Sequence, residues 1–165
     1  MSSAPFRVGQ GFDVHAFCPN RKLILAGIEI PHNLGLQGHS DADVLTHAIC
    51  DAILGAFALG DIGKWFPDTS DKFKDINSLF LLKEILQSSD LNEWQLGNLD
   101  STIVAQKPKL APYIDDMRLS YTKLFNCDLS QISVKATTTE KLGFTGREEG
   151  IAAYASVLFT KKNNT

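Results

Sequence analysis

The sequence predicts an α+β fold, a mixed α/β two-layer domain with helices on one face of a sheet, and three observations carry that prediction. Strand-like segments open and close the chain and recur within it (6–17, 96–106, 132–140 and 150–161), with a short hairpin at 22–31. Segments of helical periodicity fall between them, at about 41–58, 77–89 and 111–126. No linker, repeat or low-complexity tract interrupts the 165 residues, so 1–165 reads as one domain with a core of about 6–161.

Each element has its own signal. FRVGQGFDVHAF alternates apolar and polar residues in part, and in KLILAGIEIP two apolar triplets flank Gly27 before Pro31 stops the second. HNLGLQGHS is a glycine-bearing loop whose Ser40 or Asp41 is placed to cap the next helix, with Asp41 and Asp43 favourable in its first turn. Val44, Ala48, Ile49, Ala52, Ile53 and Ala56 form the apolar stripe of that helix. GDIGKWFPDTSD holds too much Gly, Pro and Asp for regular structure. Leu81, Leu82, Ile85 and Leu86 give the second helix an inner face, Pro108 and Pro112 frame the start of the third, and KLGFTGREEG reads as a loop before the last strand. With helices on one side only, the other sheet face needs a cover, and a second subunit is the economical one.

Composition narrows the function classes. The chain is 44% hydrophobic and 21% charged, which is ordinary for a globular protein. The scaling laws leave roughly 8,000 Å² of surface from roughly 26,000 Å² unfolded, enough burial for a core without staples. A net charge of −3 speaks against a nucleic-acid binder held by a basic surface. Cys18, Cys50 and Cys127 are dispersed and form no CxxC pair, so a reducing compartment is expected rather than a disulfide framework. MSSAPFRVGQGFDVH lacks the pattern of a signal peptide, and AICDAILGAFALG, broken by Asp51, is shorter than the ~18 apolar residues a membrane span needs.

Five segments carry chemistry. Asp13 and His15, two apart on a strand, project to one side, with Val14 expected to face the core. HSDADVLTHAICD holds His39, Asp41, Asp43, His47 and Asp51, and on a helix Asp43, His47 and Asp51 share a face. A polar outer face with capping acids is the plainer reading, and it takes Asp41. Joined to Asp13 and His15, His47 completes a three-ligand zinc set with an open fourth position, the catalytic pattern, and Asp51 is placed one turn on to orient it as an outer carboxylate. In GDIGKWFPD, Trp65 and Phe66 among Asp61 and Asp68 suggest a flap over a polar ligand. AQKPKLAP offers Lys107 and Lys109 to a phosphate or a nucleobase edge, or is only a solvated basic turn. KATTTEKLGFTGREEG sets hydroxyls and Glu140 before Gly143 and Gly146, which suits phosphates bridged by Mg²⁺, although a threonine run is also plain β-propensity.

GFDVH, HSDADVLTH, ALGDIGKWFPDT, AQKPKLAP and VKATTTEKLGFTGR resemble, in order and spacing, the 2-C-methyl-D-erythritol 2,4-cyclodiphosphate synthases, from about Phe6 to Lys161. The resemblance implies conversion of 4-diphosphocytidyl-2-C-methyl-D-erythritol 2-phosphate to the cyclic diphosphate with release of CMP, on the non-mevalonate route to isoprenoid precursors. It implies a homotrimer with active sites between subunits, in a bacterial cytoplasm or, after transit-peptide removal, a plastid, with neither nucleic acid nor membrane as partner. By motif, Asp13, His15 and His47 would bind zinc and Glu140 would bind Mg²⁺ or Mn²⁺. His39 and Ser40 would contact the methylerythritol phosphate, as would Asp61, Ile62 and Gly63, and the loop Phe66, Pro67, Asp68, Thr69 and Ser70. Ala105, Gln106, Lys107, Pro108, Lys109, Leu110 and Ala111 would enclose the cytosine, and Thr137 and Thr138 the diphosphate. His39 and Thr138 occupy the positions of transition-state stabilisation. Phe144 and Arg147 match residues near the trimer axis, where an isoprenoid diphosphate can be held. The sequence departs from the family pattern at Gln10 (often His), Ala42 (often Gly) and Leu110 (often Met). Two other readings compete: a zinc phosphohydrolase acting on a nucleotide, and a non-catalytic trimeric module binding isoprenoid diphosphates around a structural zinc.

Overall fold

The computed structural model describes residues 4–69 and 73–162. Its strands are β1 (Phe6–Cys18), β2 (Leu23–Leu25), β3 (Ile28–Ile30), β4 (Gly35–Leu36), β5 (Trp94–Val104), β6 (Ile132–Thr137) and β7 (Gly150–Lys161). The helices are α1 (Val44–Ala56), α2 (Ile62–Trp65), α3 (Ser78–Leu86), α4 (Ile114–Phe125) and α5 (Gly143–Gly146). Five strands form one sheet in the order β4-β1-β7-β5-β6, and β2 and β3 form the expected hairpin. β7 runs antiparallel to both β1 and β5, while β5 and β6 are parallel through the α4 crossover.

Residues of one parity on each strand face the helices: Leu99, Ser101 and Ile103 of β5, and Ile151, Ala153, Ala155, Val157 and Phe159 of β7, are buried. α1 lies on this face, and α4 is tied to it through the buried Tyr121 hydroxyl, 2.8 Å from Thr46 Oγ1. The opposite face is open, and Phe6, Val8, Phe12, Val14 and Tyr154 are exposed there. Phe12 and Tyr154 are cross-strand partners with ring centroids 4.8 Å apart.

Several local expectations are corrected. Val14 does not face the core; it is 44% exposed on the open face, and Asp13 and His15 take the helix side. α1 is capped by neither Ser40 nor Asp41. Asp43 is its N-cap, accepting from Thr46 N at 3.1 Å, and the same buried carboxylate accepts from Gly27 N, which anchors the hairpin. Asp41 instead accepts from Ser78 N at the start of α3. The segment after Gly60 does form a helical turn, because Asp61 caps Lys64 N at 2.9 Å. A second turn, α5, occupies the loop before β7.

Candidate functional site

A close backbone contact sets the site. A Cβ on Gly9 would fall 1.8 Å from the Ala52 carbonyl oxygen, and one on Gly11 would fall 1.9 Å from that of Ala48. With no side chain between them, β1 lies directly on the alanine stripe of α1. Continuing along that strand face, Asp13 and His15 meet His47 from the helix. Asp13 Oδ2 is 3.0 Å from His15 Nε2 and 3.1 Å from His47 Nδ1, and the two nitrogens are 3.1 Å apart. A four-coordinate zinc with bonds of about 2.0–2.1 Å spaces its ligand atoms about 3.3 Å apart, so the triangle fits such an ion and leaves a fourth position for another ligand.

Burial opposes charge on Asp13, but hydrogen bonds and the fields of His15 and His47 outweigh it and hold the carboxyl well below the usual range. Burial likewise opposes protonation of His15, yet Asp13 and the Gln37 carbonyl raise its pKa. His15 Nδ1 donates to that carbonyl at 2.5 Å, which leaves Nε2 for a metal. His47 Nε2 lies 2.9 Å from Ser78 Oγ and 3.2 Å from Ser40 Oγ. Asp51 does not make the orienting bond expected of it. Its carboxylate accepts from Ile62 N at 2.7 Å and anchors α2. Burial, first of several causes, raises the Asp51 pKa.

The three side chains of the triangle line a cavity of about 750 Å³ whose walls include Gly38, His39, Ser40, Ile62, Gly63 and the run Phe66, Pro67, Asp68 and Thr69. Phe73 packs edge-on against Phe66, ring centroids 5.2 Å apart, and holds the flap. Asp61 caps this wall rather than lining it, and Ser70 lies outside the described residues. Arg21, not foreseen from sequence, donates to the Gly38 carbonyl at 2.7 Å and to the Ser40 carbonyl, and so clamps the backbone on both sides of His39.

A second cavity of about 330 Å³ is lined by Ala105, Gln106, Pro108, Lys109, Leu110, Ala111, Thr137 and Thr138. Lys107 is turned into an ion pair with Glu148 at 3.1 Å. Glu140 and Lys141 adopt left-handed backbone (φ 53° and 67°), a strained pair of the kind found at ligand-holding loops. Thr138 Oγ1 donates to Glu140 at 2.5 Å, and Gln106 accepts from Lys141 N. Phe144 and Arg147 line neither cavity, and Arg147 pairs with Glu149 at 2.8 Å. The two cavities share no residue. Val14, Ala152, Val104 and Thr137 lie in register across the sheet, so three strand spacings, about 14 Å, separate the two ends.

The fold and the site define an α+β protein with a side-chain triangle able to hold a metal ion and a separate pocket of about 330 Å³. The YgbB family model matches residues 6–160, and the chain belongs to that family. Relatives named 2-C-methyl-D-erythritol 2,4-cyclodiphosphate synthase are 59% identical in Listeria monocytogenes (94% of this chain, 99% of the relative) and 60% identical in Bacillus mycoides (95% and 99%). Among solved structures, the bifunctional IspDF of Campylobacter jejuni is 47% identical with a TM-score of 0.90; the match covers 97% of this chain and 43% of that one. The Plasmodium falciparum IspF–CDP complex is 34% identical with a TM-score of 0.85, covering 98% and 100%.

Proposed function

We propose that the chain converts 4-diphosphocytidyl-2-C-methyl-D-erythritol 2-phosphate to 2-C-methyl-D-erythritol 2,4-cyclodiphosphate and CMP, a phosphorus–oxygen lyase reaction in isoprenoid precursor synthesis. The observation that carries this reading is the Asp13/His15/His47 triangle in a chain about 60% identical to synthases of that name over nearly its whole length. The CDP complex of the Plasmodium relative supports a cytidine diphosphate moiety in the substrate.

In this reaction the substrate's 2-phosphate oxygen attacks the β-phosphorus while the bond to the CMP oxygen breaks. No protein nucleophile is required, so positioning and charge neutralisation dominate. Zinc on Asp13, His15 and His47, and Mg²⁺ or Mn²⁺ on Glu140, would supply Lewis-acid and template chemistry to the phosphates. His39 and Ser40, on the wall beside the triangle, take the methylerythritol phosphate under the Ile62–Gly63 turn and the Phe66–Thr69 loop. Residues 105–111 cradle the cytosine, and the Thr137 and Thr138 hydroxyls take the diphosphate. His39 and Thr138 donate where charge grows.

Two cavities without a common residue support an active site between subunits. The apolar open face supports packing of three chains about an axis, near which Phe144 and Arg147 would meet an isoprenoid diphosphate. Among the described residues no helix is long and apolar enough to cross a membrane. The relatives cited above include bacterial ones, and a bacterial cytoplasm is the proposed location.

Turnover of the cytidyl substrate with Mg²⁺ in H₂¹⁸O should give CMP and a cyclic product free of solvent oxygen. Solvent oxygen in the product would mark a phosphohydrolase and overturn the cyclase reading. His47→Ala should abolish turnover while trimer mass survives; loss of the fold would mark a structural zinc, and unchanged activity would sink the zinc assignment.

A further inference from the structure

His47 must present a bare Nδ1 to a metal, so its proton has to sit on Nε2. What faces Nε2 decides this. Ser78 Oγ lies 2.9 Å away and is fully buried at the start of α3. Ser78 also donates its hydroxyl proton to the Asp41 carboxylate, in a short hydrogen bond, and its backbone N–H to the same carboxylate at 3.1 Å. A hydroxyl has one proton to give. Committed to Asp41, Ser78 Oγ can only accept from His47. Ser40 Oγ, the other neighbour of Nε2, accepts from Ala42 N at 3.2 Å and lies 3.4 Å from Ser78 Oγ, so it can donate there.

From this chain we infer that Ser78 and Asp41 are positioning residues for the metal. Asp41 polarises Ser78 into an acceptor, Ser78 fixes His47 in the Nε2–H tautomer, and the Nδ1 lone pair is thereby aimed at Asp13 and His15. Gln37 performs the same task for His15 through its carbonyl. The two histidines thus use opposite nitrogens as ligands, each with the other nitrogen tied to a fixed acceptor. The relay also joins α3 to the metal ligand on α1, although Ser78 lies 31 positions beyond His47.

This inference rests on the metal reading above, and zinc itself is the probe that separates the two. Metal-free protein is titrated with zinc against a chromophoric chelator. The parent should bind at the triangle, and Ser78→Ala should raise the zinc Kd by roughly 10- to 100-fold, the usual cost of losing an outer partner of a ligand histidine. Asp41→Asn provides the second variant. Its amide can donate to Ser78 Oγ, which frees the Ser78 proton to turn toward His47 Nε2. Zinc affinity should then fall as it does in Ser78→Ala, while Ser78→Thr, which keeps the hydroxyl, should retain the affinity of the parent, a rescue that loss of packing alone does not produce. A parent that binds no zinc overturns both readings. A parent that binds, with Ser78→Ala and Asp41→Asn both within about twofold of it, overturns this inference alone.

Discussion

One methyl group at Gly11 tests whether the backbone contact between β1 and α1 sets the metal triangle. In Gly11→Ala the new Cβ would lie 1.9 Å from the Ala48 carbonyl oxygen and 2.6 Å from Ala52 N. Ordinary contact begins near 3.4 Å, so strand and helix must part by about 1.5 Å, and both obstacles are backbone that cannot rotate away. Overpacking of this kind costs about 1–3 kcal/mol, and the rigid surroundings place the expected cost at about 3 kcal/mol. At about 2–4 °C per kcal/mol for a chain of this size, the melting midpoint should fall by about 6–12 °C. The same parting widens the 3.1 Å gap between Asp13 and His47 well beyond the ~3.3 Å edge of a zinc tetrahedron, so zinc uptake should weaken by at least roughly tenfold. Gly55→Ala is the control. It sits on the exposed side of the same helix, its Cβ would meet nothing nearer than 3.8 Å, and alanine there should stabilise by about 1 kcal/mol. Calorimetry and zinc titration at matched protein concentration give both readouts. A Gly11→Ala midpoint within about 2 °C of the parent, with zinc affinity unchanged, would refute the claim that this contact positions the triangle.

Further outcomes follow from other contacts. In metal-free protein the lowered Asp13 pKa stabilises above its unfolded value of 3.8, and this is lost as pH falls through the lower folded value. The raised His15 pKa stabilises below 6.5, and this is lost as pH rises through the folded value. The melting midpoint of chelator-stripped protein should therefore be highest near pH 4–6.5 and decline toward pH 8; a flat profile would contradict this. Zinc should stabilise more at pH 8 than at pH 6, because binding displaces the His15 proton. Tyr121→Phe, which removes the hydroxyl 2.8 Å from Thr46, should cost about 1 kcal/mol by urea unfolding. Thr46→Val also removes a donor to the buried Asp43 carboxylate and should cost about 2–3 kcal/mol; equal losses would argue against the chain of bonds.

Much of the fold was legible because its long elements obey simple periods. The last strand, the parallel pair around α4 and the hairpin all lie close to where apolar spacing and turn residues put them. The members of the triangle were legible too, since two residues apart on a strand means one side. Which side was not. In β1 the helix-facing positions include Gly9 and Gly11, which bury backbone rather than side chains, while Val8, Phe12 and Val14 crowd the open face. Hydrophobicity therefore pointed the strand the wrong way round. Ser78 and Arg21 escaped for a different reason: their contacts are long-range, and neither has a periodic or local signal. Ala42 shows the converse. It has φ 58°, a left-handed conformation that favours glycine, the residue the resemblance leads one to expect there, so the backbone explains what the sequence could only register as a departure.

The separation of the two cavities has a genetic consequence. In the proposed assembly each catalytic unit draws its metal ligands from one chain and its nucleotide pocket from the next. An allele that loses His47 and an allele that loses Thr138 would then complement one another. With random assembly an intact triangle meets an intact pocket at one junction of every mixed trimer, roughly a quarter of all junctions. Two inactive proteins, refolded together, would recover activity that neither has alone, whereas both lesions in one chain would recover nothing.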